Sequence, residues 1–116
     1  MSDVKLTVGG AMEDEASRQF IDAWHRGERG ETFHERHLAF ESWEALARVL
    51  TGKRMELLHY VRRNNVTSVR ALAKALSRDY SNVHADVKAL ASAGLLDATS
   101  KGVRADYDAI ETKIAI

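Results

Sequence analysis

The residues best suited to chemistry cluster between Ser68 and Gly94. Apolar Val83, Val87 and Leu90 recur at helical spacing. This leaves Tyr80, Ser81, Asn82, His84, Ala85 and Lys88 on or near the opposite face. Those types fit a helix lying in the major groove of duplex DNA. An Asn amide can pair with an adenine edge, and Ser and His can bond base edges or phosphates. An Ala is small enough to meet a thymine methyl. Lys88, a turn further on, is placed for a phosphate. Arg70, Lys74 and Arg78 flank the preceding turn at positions suited to backbone phosphates. Lys101 at a hairpin tip and Arg104 on the return strand could touch phosphate or a minor groove.

Other chemistries find less support. His34 and His37, with Glu35 between them, would point to opposite faces of a strand and so do not converge on a metal. Asp106 and Asp108 would share a strand face, but no basic partner motif or glycine-rich loop accompanies them. His25 and His59 read as surface or packing residues. The chain has no cysteine, which removes disulfides, thiolate metal sites and thiol nucleophiles. No Ser-His-Asp spacing, phosphate loop or nucleophile elbow appears. An enzyme is not expected, nor is a cofactor or metal.

The elements that would position the polar face follow from periodicity. Val4, Leu6 and Val8 alternate with polar residues up to Gly9-Gly10, the pattern of a short half-exposed strand. Residues 13–26 read as a helix with acids in its first turn and Ala16, Phe20, Ala23 and Trp24 on one face. Residues 32–41 read as a second strand. Ser42 can cap a helix through Trp43, Leu46, Ala47 and Leu50, which Thr51-Gly52 either kinks or breaks. Met55, Leu58 and Val61, with Leu57 beside them, mark a helix ending near Asn64-Asn65 through a left-handed cap. Ser68 can cap a helix carrying Val69, Leu72, Ala73 and Leu76. After the turn Ser77-Arg78-Asp79, with Asp79 as N-cap, a further helix runs from about 80 to Gly94. Leu95 and Leu96 would open a strand, Ser100-Lys101-Gly102 a hairpin, and Val103 to Tyr107 would return. Ile110, Thr112, Ile114 and Ile116 alternate in a last strand that either pairs with another chain or closes the local sheet. Phe20, Trp24, Phe33, Phe40 and Trp43 form either a core for the first part or a partner surface.

Composition is consistent with one small globular chain. Of its 116 residues, 45% are hydrophobic and 29% charged, and the formal net charge is zero. That zero conceals a division. Residues 1–51 hold six Lys/Arg against ten Asp/Glu, while residues 53–104 hold ten against four, a local +6. The stretch 105–116 returns to −2. No apolar run approaches a membrane span and the start is unlike a signal peptide, so a cytoplasmic protein is expected.

The order helix, helix, short turn, helix, Gly-Leu-Leu, hairpin is that of a winged helix-turn-helix. Residues 53–107, and more weakly 32–116, resemble the MarR-like superfamily of winged-helix transcriptional regulators. The carrying segment is VTSVRALAKALSRDYSNVHADVKALASAGLLD, residues 66–97. The phrase RDYSNVHADVKAL followed by GLL is similar to a group of small prokaryotic DNA-binding regulators whose members often stand beside small toxin genes. The resemblance, and it alone, implies an antitoxin role and a small toxin protein as partner. MarR-like proteins dimerise through helices flanking the winged domain. Here the first part mixes strands and helix, so that dimer mode does not carry over.

The expected fold is therefore α+β, mainly helical. Residues 52–116 would form a winged helix-turn-helix, and residues 1–51 a strand-helix-strand-helix extension for dimerisation or partner binding. The expected function is sequence-specific binding of double-stranded DNA by a dimeric repressor. The alternative is a protein-interaction module whose acidic first part neutralises a partner, with DNA binding secondary. RNA binding is weaker, since Tyr80 is the one good base-stacking aromatic in the basic half.

Overall fold

The computed structural model describes residues 2–9 and 34–116. The expected helix over 13–26 and Phe33 lie outside the described residues. The architecture is α+β. Strands β1 (Ser2–Val8) and β2 (His34–Phe40) precede helices α1 (Trp43–Val49), α2 (Gly52–Arg63), α3 (Val69–Leu76) and α4 (Tyr80–Ser92). Strands β3 (Asp97–Thr99), β4 (Gly102–Arg104) and β5 (Ala109–Ile114) follow. The chain forms two compact units. One is Met1–Ala47 with Tyr107–Ile116, the other Arg48–Asp106.

The first unit is built on an all-parallel sheet of order β2-β1-β5. Val4, Leu6 and Val8 face the same way as Leu38 and Phe40 on one neighbour and Ile110 and Ile114 on the other. The expectation of a half-exposed first strand is corrected in part. Val4, Leu6 and Val8 are buried, and so is Thr7 on the opposite face. On that opposite face Asp3 and Lys5 stay between buried and exposed, so it is partly covered. The expected domain 52–116 is corrected too. The alternating isoleucines of β5 pair with β1, so residues 107–116 belong with the N-terminal strands.

In helix α1 the Ser42 hydroxyl accepts from the Ala45 N–H at 3.2 Å. Leu46 is its buried residue, and Trp43 is exposed. Thr51-Gly52 is a full break. Thr51 sits in the extended region and caps α2 by accepting from the Arg54 N–H.

The second unit packs Leu57, Leu58 and Val61 of α2 with Leu72 and Ala73 of α3, Val83, Val87 and Leu90 of α4, and Val66, Leu95, Leu96, Val103 and Ala105. Helix α2 ends at Asn64, but not through a left-handed cap. Asn64 is extended, at φ −132°, and its side-chain amide donates to the Tyr60 carbonyl at 2.9 Å, satisfying that orphan acceptor directly. Leu95 and Leu96 do not open a strand. The Leu95 N–H closes the end of α4 on the Leu90 carbonyl, with Gly94 left-handed between them, and β3 starts at Asp97. Strand β4 likewise stops at Arg104. Asp106 and Asp108 therefore lie in the connection to β5 and not on a strand face.

Candidate nucleic-acid interface

Helices α3 and α4 are fixed at both ends of the turn between them. Ser68 caps α3 by accepting from the Ala71 N–H at 3.0 Å. At its far end Ser77 is left-handed (φ 53°, ψ 46°). The Ser77 N–H reaches the Lys74 carbonyl, and the Arg78 N–H reaches the Ala73 carbonyl. This paired closure is a Schellman motif built on a serine. Asp79 then starts α4, its carboxylate accepting from the Asn82 N–H at 3.3 Å. Three residues thus separate the two helices, and buried Ala73 lets them approach closely.

The buried stripe of α4 turns Tyr80, Ser81, Asn82, His84, Ala85 and Lys88 outward, all of them exposed. The Arg70 guanidinium lies 4.8 Å from the centre of the Tyr80 ring. The Tyr80 and His84 rings are 5.8 Å apart. This stack ties the start of α3 to the start of α4 through a cation–π contact and leaves all three residues at the surface. Lys74 is exposed on α3.

Arg78 has a different environment. Its Nη2 is 2.8 Å from Asp86 Oδ2, while Arg54 Nε is 3.0 Å from Asp86 Oδ1. Arg54 also donates from Nη1 to the Arg48 and Val49 carbonyls, satisfying the end of α1. All three side chains of this Arg–Asp–Arg knot are at most 20% exposed. The knot joins α2, the turn and α4. Arg54 and Asp86 were not among the expected site residues. The signal was present, since Val83, Asp86, Val87 and Leu90 fall at i, i+3, i+4 and i+7. An acid on a buried stripe requires a cation.

The hairpin β3–β4 is antiparallel, with Thr99 paired to Gly102. The Lys101 N–H donates to Thr99 Oγ1 at 3.1 Å, holding the exposed Lys101 at the tip. The Val103 N–H donates to the Val66 carbonyl at 3.0 Å, docking the hairpin on the chain between α2 and α3. Gly102, at φ +132°, allows this. A Cβ there would be driven into the Val66 carbonyl oxygen. Arg104 is exposed and 3.2 Å from Asp106. A groove beside it is lined by Arg62, Arg63, Asn64, Asn65 and Val66.

Residues 49–112, more than half of the chain, match the family model HVO_A0114. The chain belongs to the HVO_A0114 family. The HVO_A0114 region runs from the last residue of α1 into β5 and so holds every residue of the surface described above. No curated protein and no solved structure matches the chain. Among the described residues no group of three or more His, Cys, Asp or Glu could hold a metal ion, and no helix is long and apolar enough to cross a membrane.

Proposed function

We propose that this HVO_A0114 protein is a sequence-specific double-stranded DNA-binding regulator of the MarR-like, winged helix-turn-helix kind, acting as a dimeric repressor. The observation that carries the reading is the exposed polar face of α4, backed by capped ends and the Arg54–Asp86–Arg78 knot. That face lies in a unit with eleven Lys/Arg against five Asp/Glu. In this reading α4 enters the major groove, with Asn82, Ser81 and His84 at base edges and Arg70, Lys74 and Lys88 at phosphates. The hairpin serves as the wing, bringing Lys101 and Arg104 to the adjacent backbone. Arg78 is held by Asp86 and so positions the turn. Two copies would read half-sites about one helical turn apart.

Fluorescence polarisation with duplexes from the protein's own upstream region, titrated across a salt series, tests the reading. Asn82→Ala should weaken specific binding by ~1–3 kcal/mol and spare non-specific binding. Lys101→Ala should weaken both and lower the salt slope by about one. Absence of salt-dependent binding at low ionic strength refutes DNA binding, and identical behaviour of the two variants refutes the assigned roles.

A second reading is favoured by the charge of the other unit, six Lys/Arg against twelve Asp/Glu. That unit would capture a basic partner protein, as in an antitoxin. Co-purification of a small basic protein encoded beside this chain, lost on neutralising those acids, would support it.

A further inference from the structure

Strand β5 is an edge of the parallel sheet, pairing on one side with β1 and, among the described residues, with nothing on the other. Its residues are exposed except for half-buried Ile110, and Ile114 is 47% exposed. A β-branched edge strand of this kind is a template for another strand. The parity of its backbone is fixed. The Ala115 N–H donates to the Val8 carbonyl at 3.1 Å, so odd-numbered residues turn their backbone groups toward β1. By the alternation of a strand, Ile110, Thr112 and Ile114 turn theirs outward.

The sequence across that edge, Ile110-Glu111-Thr112-Lys113-Ile114, is complementary to itself when reversed. We infer that β5 pairs antiparallel with β5 of a second copy about a two-fold axis at Thr112, joining two three-stranded sheets into one. In this register Thr112 faces Thr112 of the partner copy and Ile110 faces Ile114. These are the residues whose N–H and C=O groups point outward, so every outward group within the pair is satisfied. Glu111 then stands opposite Lys113 at the non-hydrogen-bonded positions, where side chains come closest. Sliding by one pair in either direction sets Glu111 against Glu111 or Lys113 against Lys113, and like charges directly opposite are destabilising. Charge and backbone parity therefore select the same register. The surface is an isologous one, as a closed dimer requires. The inference rests on the sheet alone and stands or falls apart from DNA binding.

The test is sedimentation and light scattering of the full chain from micromolar to near-millimolar concentration, with three variants. Wild type should dimerise, and the Thr112 amide should gain hydrogen-exchange protection as the dimer fills. Thr112→Pro removes an N–H that β1 does not use, so it should leave the circular dichroism intact and abolish the dimer. Glu111→Lys should raise the dimer dissociation constant roughly tenfold or more. Adding Lys113→Glu to it should restore dimerisation, although the 3.8 Å contact between Lys5 and Glu111 within the sheet stays lost. If Thr112→Pro loses its native circular dichroism, the charge reversal and its rescue decide. A chain monomeric throughout, or a dimer indifferent to charge reversal, overturns the inference.

Discussion

Asp86→Asn isolates the knot that holds α2, the turn and α4 together. The carboxylate uses both oxygens, Oδ1 for Arg54 at 3.0 Å and Oδ2 for Arg78 at 2.8 Å. An Asn keeps the volume but offers one acceptor and one donor. One guanidinium therefore faces an N–H₂ group, and both keep their charge without a counter-charge. Loss of one charge-assisted hydrogen bond costs ~1.5–3 kcal/mol. Breaking a fully buried pair costs ~3–5 kcal/mol, but here the guanidiniums are 18% and 20% exposed and water recovers part of that. The expected destabilisation is about 2–3 kcal/mol, which at a urea slope of ~1–3 kcal/mol/M moves the unfolding midpoint down by roughly 0.7–3 M.

Urea titration followed by far-ultraviolet circular dichroism measures this. A cycle with Arg78→Ala and Asp86→Ala should give a double variant less destabilised than the two singles together, with a coupling of ~1–2 kcal/mol. A cost for Asp86→Asn below about 0.5 kcal/mol, the range of ordinary surface substitutions, would refute the reasoning, as would additivity in the cycle. The same variants separate positioning from contact. If Arg78 acts through Asp86, Arg78→Ala lowers stability and leaves the salt slope of DNA binding unchanged. If it reaches a phosphate, the slope falls by about one.

The backbone supplies two further expectations. Gly102→Ala should cost at least about 2 kcal/mol and release the hairpin, because the new methyl meets the Val66 carbonyl at a φ that L residues rarely adopt. Hydrogen exchange at the Val103 N–H, which binds that carbonyl, reads the release, and native protection there would refute it. Ser77→Gly should stabilise by ~0.5–1 kcal/mol, because Ser77 already holds φ 53° and glycine reaches it without a Cβ penalty. A fall in the thermal midpoint would show that the Ser77 side chain contributes more than its backbone strain removes.

Local chemistry made much of this protein legible. The caps Ser42, Ser68 and Asp79 announce their helices because a short polar side chain before an apolar period has one favourable use. The exposed face of α4 follows from the spacing of Val83, Val87 and Leu90. What stayed hidden is what long-range contacts decide. Nothing in the alternation of Val4, Leu6 and Val8 says how far the opposite face is covered, so β1 reads as half exposed, whereas Thr7 is buried and Asp3 and Lys5 are partly so. The place of Asp86 on the buried stripe of α4 shows that it needs a cation, but not which one, and its second partner Arg54 lies 32 residues back in the sequence. Asn64 shows the limit of residue preference. It ends the helix as expected, yet with its side chain and not through a left-handed backbone.

The separation of charge follows the fold more closely than it follows the chain. Cut at residue 51, the sequence divides into −4 and +4. Divided by its folded units it becomes −6 and +6, because Arg48 joins the basic unit while Asp108, Glu111 and Lys113 join the acidic one. The return of β5 to β1 is what carries those late acids out of the basic unit. At physiological ionic strength the Debye length is ≈ 8 Å, so an exposed charge acts chiefly on its own neighbourhood. A chain of zero net charge can then present one unit that attracts phosphates and another that attracts cations. An argument against nucleic-acid binding from the net charge alone fails for that reason.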